Sequence, residues 1–132
     1  MAWDRLDGLR VLELGMPGEM RDWLNECVLK GDKRATAGLL VADYQAEGEP
    51  VEHIGELLAL VDSEGKRIGT AEVTKAEVVP FAEVSWEFAQ AEGEGFTSIE
   101  HWRQAHAKFW TEAGAEVGDQ TEVVCLHFRL LP

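Results

Sequence analysis

Two apolar runs separated by a short polar loop place the tightest limit on how this chain folds. The first run covers residues 54–62 and the second covers residues 67–74, with Ser-Glu-Gly-Lys between them. Apolar runs that flank a short glycine-containing loop are typical of a β-hairpin. The second run continues towards Phe81, and Pro80 is expected to end it because proline cannot donate a hydrogen bond to a sheet.

Helical periodicity predicts two amphipathic helices outside the hairpin. The first begins at Glu19 and carries the i, i+3, i+4, i+7, i+8 stripe of a helix with one buried face. Its apolar positions are Met20, Trp23, Leu24, Cys27 and Val28. Gly31 is expected to terminate this helix. The second helix is predicted to follow a Thr97–Glu100 capping box of the form S/T-x-x-E and to end at Gly114.

The remaining segments complete an α+β pattern in what the length of 132 residues predicts to be a single domain, 1–132. Residues 8–14 and 121–131 are predicted strands, and residues 82–91 a short helix. Residues 37–47 fit a buried strand or a short helix, and the helix is favoured because Leu40 and Tyr44 are i, i+4 partners and Ala and Glu fill the gaps. Strands that return after helical segments indicate a small, partly closed β-barrel.

The charge of the chain limits its partners. With 25 acidic and 12 basic residues, the formal net charge is -13. Because nucleic-acid binding draws its affinity from Lys and Arg that neutralise phosphates, a long DNA or RNA footprint is disfavoured. The sequence has no apolar run near the ~18 residues that span a bilayer and no leader-like start, so we expect a cytoplasmic protein without membrane partners.

Cysteine and histidine spacing argues against a metal site. Cys27 and Cys125 are far apart in the sequence and are expected to be reduced, buried thiols. His101 and His106 are turned about 140° from each other on a 3.6-residue helix, so they cannot be adjacent ligands. We therefore predict no metal and no cofactor. His106 lies among apolar residues and is interpreted as a core histidine that also has access to a pocket.

The polar residues after the first helix and in a later acidic loop are the best candidates for chemistry. Lys33 lies three positions before Thr36, and a lysine with a lowered pKa can activate a threonine hydroxyl as a nucleophile. Glu92 and Glu94 flank a glycine, and a carboxyl with a raised pKa can act as an acid. These residue types suffice for amide hydrolysis, although the Lys-Thr turn also fits a ligand clamp or a simple polar turn.

Aromatic residues offer a possible stacking surface for a base. Most tryptophans occupy helix-periodic positions that are typical of a core. Trp3 and Trp86 fall outside those stripes and are the better pocket candidates.

Two blocks of this sequence resemble the ASCH domain family. Gly31-Asp32-Lys33-Arg34-Ala35-Thr36 is similar to the family's Gly-x-Lys-x-x-Thr turn. Glu92-Gly93-Glu94-Gly95 and Trp102-Arg103-x-x-His106-x-x-Phe109 resemble a second family block. The resemblance covers the chain from about residue 15 to its end. It implies an α+β, PUA-like fold, which is a small mixed or antiparallel β-barrel with helices packed over its ends and a cleft beside the Lys-Thr turn.

The resemblance also implies a function. One enzymatic branch of the family removes the acetyl group from acetylated cytidine with a Thr nucleophile, a Lys base and a Glu acid. These roles carry over to Thr36, Lys33 and either Glu94 or Glu92, of which Glu94 is preferred. The expected ligand-binding residues are Arg34, Glu92, Trp86, Arg103 and His106. The expected ligand is a small nucleoside-like molecule, and the alternative is a non-catalytic module for short RNA or a ribonuclease-like protein.

Overall fold

The secondary structure follows the chain as alternating groups of strands and helices. In the computed structural model, which describes residues 2–132, these are β1 (Arg5–Leu6), β2 (Leu9–Leu12), α1 (Glu19–Leu29), β3 (Ala35–Leu39), β4 (Leu57–Val61), β5 (Arg67–Pro80), α2 (Trp86–Ala91), α3 (Ile99–Glu112) and β6 (Glu122–Leu130). Short helical segments add a π-helical turn at Leu40–Tyr44 and 3₁₀ turns at Gln45–Glu47 and Phe81–Glu83.

The predicted hairpin forms the centre of a mixed sheet. Over residues 2–132 the sheet has six strands in the order β1-β2-β4-β5-β6-β3. β4 and β5 pair antiparallel, with Ala59 opposite Thr70, and β5 ends at Pro80 as predicted. β2 pairs with β4 in parallel, while the other neighbouring strands are antiparallel. The α+β, PUA-like class is confirmed, and within the described chain the sheet stays open because its edge strands β1 and β3 are not neighbours.

β6 divides the hydrophobic core between the two faces of the sheet. Leu126 and Phe128 belong to a buried cluster that includes residues of α1. Val123 and Cys125 point to the other face and join a cluster built with α2 and α3. Since successive residues of a strand face opposite sides, the unbroken apolar run Val123–Leu126 indicates that this part of β6 is covered on both faces.

The short helix predicted over residues 37–47 forms only from Leu40 onwards, as a π-helical turn and a 3₁₀ turn, and residues 37–39 are a strand instead. The segment Ala37–Leu39 belongs to β3, and helical turns begin only at Leu40. β3 pairs antiparallel with β6, with Thr36 opposite Leu126. Pairing with a distant strand overrides the local propensity for helix. As a result, the Lys-Thr turn leads directly into an edge strand.

The helix ends follow the predictions with shifts of a few residues. Ser98 rather than Thr97 caps α3, because the Ser98 hydroxyl accepts a hydrogen bond from the His101 N–H at 3.0 Å. The predicted helix at residues 82–91 starts later, at Trp86, where the Ser85 hydroxyl caps it. Both serines accept a hydrogen bond from a free N–H in the first helical turn. None of the helices within residues 2–132 is long and apolar enough to cross a bilayer.

A comparison of adjacent leucines tests the position of the core. Leu58 is 0% exposed and Leu57 is 37% exposed, although they are neighbours in β4. We expect Leu58→Ala to lower the free energy of unfolding by about 2–5 kcal/mol because it leaves a cavity. Leu57→Ala, the matched control, is expected to change it by about 0.5 kcal/mol or less. Equal losses in urea unfolding would contradict this assignment of the core.

Candidate functional site

The Lys33 side chain is buried where the end of α1 meets the loop that follows α2. Lys33 is 2% exposed. The N–H groups of Asp32 and Lys33 both donate to the carbonyl oxygen of Cys27 at 3.0 Å, so the turn folds back onto the last turn of α1. Gly31 has a φ of +89°, which fits the predicted helix stop. This turn directs Lys33 inward rather than to the surface.

Oxygen acceptors surround the Lys33 ammonium. Nζ donates to the Ala35 carbonyl oxygen at 2.8 Å, to Glu92 Oε2 at 3.2 Å and to Glu94 Oε2 at 2.6 Å. Since an ammonium carries three N–H bonds, these acceptors use all of them. Burial alone lowers the pKa of Lys33, but the Glu92 and Glu94 carboxylates outweigh burial and raise it. Lys33 is therefore held as a cation, and the neutral amine that a base requires is disfavoured.

Gly93 allows both glutamates to reach the same ammonium. A Cβ atom at Gly93 would lie 2.0 Å from the Asp32 carbonyl oxygen, and the φ angle there is +63°. The Arg34 N–H donates to the Ala91 carbonyl oxygen at 2.8 Å and holds the two segments together. Glycine is therefore required here both by its left-handed conformation and by the close approach of the two backbones.

Glu92 is a fixed anion in this site. Its residue is 1% exposed, and its Oε1 accepts from Trp102 Nε1 at 2.5 Å and lies 3.3 Å from His106 Nε2. Burial by itself raises the pKa of Glu92, but Lys33 and His106 outweigh this, and the pKa falls to about 2. The Glu92 carboxylate consequently stays ionised over the whole neutral range.

Glu94 differs from Glu92 in both its exposure and the direction of its pKa shift. Its side chain is 14% exposed, compared with 2% for Glu92. Burial raises the pKa of Glu94, Lys33 lowers it and Glu92 raises it again, with a net increase. Two carboxylates that share one ammonium titrate as a coupled pair, in which the group with fewer donors takes up the proton more readily. Glu94 is therefore the member of this pair suited to carry a proton.

His106 packs as a core residue and also reaches the site, as the sequence allowed. Its ring stacks on the Trp102 indole with a centroid distance of 4.0 Å and an interplanar angle of 18°. The Nδ1 atom lies 3.0 Å from the Trp102 carbonyl oxygen, while Nε2 faces Glu92. Stacking and hydrogen bonding together fix the ring beside the carboxylate.

A cavity of about 120 Å³ opens beside these groups. Its polar wall consists of Lys33, Thr36, Glu92, Glu94 and His106. Its apolar wall includes Leu14, Met20, Leu24, Phe96, Phe109 and Trp110. Thr36 comes from the edge strand β3, α1 supplies one side of the apolar wall and α3 supplies the other. The structure thus brings the predicted lysine, threonine and both candidate glutamates into one concave site.

Three predicted ligand-binding residues do not line this cavity within residues 2–132. The Arg34 side chain is exposed to solvent. Arg103 Nη2 donates to the carbonyl oxygens of Ala82 at 2.9 Å and Val84 at 3.3 Å, so its guanidinium holds the segment before α2. Trp86 is half-buried against the cluster formed with α2 and α3.

Trp3, the other stacking candidate, lies at a separate location. Its indole N–H donates to the Asp43 carbonyl oxygen at 3.0 Å, and its ring packs edge-on against Tyr44 at 4.9 Å. These contacts make Trp3 a structural residue that ties the start of the chain to the turns after β3.

Sequence reasoning missed the apolar wall of the site and the hydrogen bond from Trp102 to Glu92. The helical stripes of α1 and α3 identify these residues as buried. Local periodicity cannot show that the two stripes line the same cavity beside β3. Among residues 2–132, His, Cys, Asp and Glu do not form any cluster of three or more that could hold a metal ion.

Comparisons with known proteins agree with this architecture. A model of the ASCH domain matches residues 11–132. The crystal structure of protein EF3133 from Enterococcus faecalis is 28% identical, covers 97% of this chain and 78% of its own, and superposes with a TM-score of 0.82. An ASCH domain from Lactobacillus crispatus is 31% identical over 83% of this chain and 71% of its own, with a TM-score of 0.72. No protein of curated function matches the sequence.

Paired glycine substitutions test the docking of the loop. Gly93 and Gly95 both have positive φ angles, but only at Gly93 would a Cβ meet a backbone atom within 4 Å. Gly95→Ala is expected to cost about 1–2 kcal/mol of unfolding free energy from backbone strain alone. Gly93→Ala adds the clash with Asp32 and is expected to cost clearly more in denaturant unfolding. Equal costs would show that the loop does not dock as described.

Acid unfolding tests the charge state of Glu92. Because its pKa falls from 4.5 to about 2, its stabilising contribution is present above pH 4.5 and is lost as the pH falls towards 2. We expect Glu92→Gln to lower the unfolding free energy by about 3 kcal/mol at pH 7. The difference in unfolding free energy between this variant and the parent protein should shrink as the pH falls from 4.5 to 2. The control is Glu116→Gln, an exposed substitution, which should keep the pH dependence of the unfolding free energy of the parent protein. A loss of unfolding free energy in Glu92→Gln that stays constant with pH would contradict the ionised state of Glu92.

Proposed function

The chain belongs to the ASCH domain family, and we propose that its cavity binds a nucleoside-like molecule and hydrolyses an amide on it, of the kind found in acetylated cytidine. The observation that carries this proposal is the convergence of Thr36, Glu94 and the Lys33 ammonium on one cavity. A nucleophile, a proton carrier and a fixed cation are the groups that acyl transfer requires.

Thr36 is the nucleophile in this proposal. Its hydroxyl oxygen bonds to the amide carbonyl carbon, and its proton passes to the ionised form of Glu94. When the intermediate collapses, the C–N bond breaks and Glu94 returns that proton to the leaving nitrogen. The acyl group then remains as an ester on Thr36. Water then attacks the ester carbonyl and gives a proton to Glu94, and Glu94 passes this proton to the Thr36 oxygen as the C–O bond breaks, which releases the carboxylic acid and restores the free hydroxyl.

Lys33 has an electrostatic role in this scheme. The resemblance implies that it is the base, but its three N–H bonds are directed at the Ala35 carbonyl and the two carboxylates. An ammonium held in this way positions Glu94 and acts on the site through its charge alone, because none of its N–H bonds is free for the substrate oxygen. Glu92 keeps the ammonium in place. The proposal therefore assigns both proton transfers to Glu94.

The charge of the chain favours a small ligand over a polymer. A neutral nucleoside avoids the repulsion that a net charge of -13 imposes on a polyanion. Binding of short RNA would draw on the basic residues of the Lys-Thr turn, which are Lys30, Lys33 and Arg34. Lys33 is too buried to contact a phosphate, and Lys30 Nζ lies 3.8 Å from Asp32 Oδ2. The geometry therefore supports the small-molecule reading.

Turnover of acetylated cytidine by Thr36 variants tests the proposal. We expect Thr36→Ala to lower kcat by at least about 10³-fold because the nucleophile is lost, and Thr36→Ser to retain measurable activity. Arg34→Ala, with a side chain outside the cavity, is the matched control and should keep the activity of the parent protein. Deacetylation is followed by chromatography. If the parent protein deacetylates the substrate no faster than Thr36→Ala does, the proposed hydrolysis is overturned. If the protein binds RNA and Arg34→Ala loses this affinity, the RNA-binding alternative is favoured.

A further inference from the structure

We propose that the buried end of the cavity is an acyl pocket, in which Leu14, Leu24 and Trp110 limit the length of the acyl chain that the site accepts. This inference rests on the proposed function and adds to it the direction in which the substrate enters and the class of acyl group that it carries.

The lining residues differ in exposure, which indicates the end of the cavity that each one lines. Leu14 is 2% exposed, and Leu24 and Trp110 are each 4% exposed, which places them at the inner end. Met20 is 41% exposed and marks the mouth. Phe96, which follows the glutamate loop, is half-buried and lines the cavity between these extremes.

The residues of the polar wall also differ in exposure, and this difference indicates how the substrate is oriented in the cavity. The Glu94 side chain is 14% exposed, whereas those of Lys33 and Glu92 are 1% and 2% exposed. Glu94 therefore lies nearer the mouth than its partners. Because the leaving nitrogen takes its proton from Glu94, the amine part of the substrate extends towards the mouth. The acyl substituent on the other side of the carbonyl then points inward.

The apolar side of the inner end favours hydrocarbon. Leu14, Leu24 and Trp110 line this side. Lys33 and Glu92 are equally buried, but their polar atoms already bond each other and their neighbours, so a polar substituent there would lack a hydrogen bond and be unfavourable. The cavity volume of about 120 Å³ is also well below the roughly 300–1,000 Å³ that holds a drug-sized ligand. A short acyl chain and its amide therefore fit inside, while the flat base remains at the mouth beside Met20 and Phe96.

Leu24 is packed on two sides, which limits how far it withdraws for a longer chain. A Cβ atom built on Gly15 would lie 2.8 Å from Leu24 Cδ1, so this leucine packs closely over the backbone at residue 15. Leu24 also belongs to the buried cluster that contains Leu58 and Leu60. Close packing on both sides makes Leu24 a rigid limit, since well-packed interiors do not deform cheaply.

The acyl-length profile of Leu24 variants tests this pocket. Cytidines acylated with acetyl, butanoyl and hexanoyl groups are the substrates, and kcat/KM is measured for each one. We expect the parent protein to prefer acetyl. Leu24→Ala should raise the butanoyl-to-acetyl ratio by at least about 10-fold, because each methylene in an apolar pocket changes specificity by about that factor or more. Leu24→Val should give a smaller shift in the same direction.

Leu58→Val is the matched control because Leu58 lies in the same buried cluster but does not line the cavity. Its ratio should stay within about twofold of the parent value, as expected for a core change away from the site. Cooperative thermal unfolding identifies which variants are folded. If Leu24→Ala does not fold, Leu24→Val carries the comparison. An unchanged ratio in a folded Leu24 variant, or an equal shift in Leu58→Val, would overturn the acyl pocket.

Calorimetric binding of the same three compounds separates this inference from the proposed function. If the dependence of affinity on acyl-chain length differs between Leu24→Val and the parent protein and no compound is hydrolysed, the acyl pocket is supported and the proposed hydrolysis is overturned. Hydrolysis with an unaltered profile would overturn the pocket alone. If the compounds neither bind nor react, both proposals fail.

Discussion

The Lys33 ammonium holds the site together. It bonds the start of β3, the residue after α2 and the loop before α3, and these partners lie up to 61 residues from Lys33 in the chain. Moving an ammonium out of water is costly unless hydrogen-bonded anions replace the solvent. The fold meets this requirement only when Glu92 and Glu94 arrive together. The edge of the sheet, the helix end and the glutamate loop are therefore fixed by a single charged atom.

The two carboxylates around that atom are not equivalent. Glu92 lies deeper, accepts a hydrogen bond from Trp102 and faces His106, so its charge is kept throughout the neutral pH range. Glu94 shares only the ammonium and stands closer to solvent. A pair of like charges at one cation separates into a fixed member and a titratable member when their surroundings differ. In the sequence Glu-Gly-Glu, the first glutamate is thus a fixed anion and the second is the group that titrates. The close backbone contact at Gly93 allows both of them to reach Lys33.

The elements that the sequence predicted well are those whose pattern is local. The central hairpin, α1, α3 and β6 follow from periodicity and from turn residues, and they appear close to their expected bounds. β3 was missed because its strand conformation depends on β6, nearly ninety residues later. The need for glycine at position 93 was likewise hidden, since it arises from contact with Asp32. The resemblance located Lys33, Thr36 and Glu94, but it did not predict that Arg34 and Arg103 would point away from the cavity.

The full hydrogen bonding of Lys33 has a further chemical consequence. An ester on Thr36 would lie three residues from a primary amine, and a neutral amine attacks esters to form a stable amide. Such a transfer would leave the acyl group on the lysine and permanently block the site. The Lys33 nitrogen has no available lone pair because its pKa is raised and its protons face the carbonyl and the carboxylates. In the hydrolysis that we propose, the same contacts that bury the charge would therefore protect the site from acylating itself.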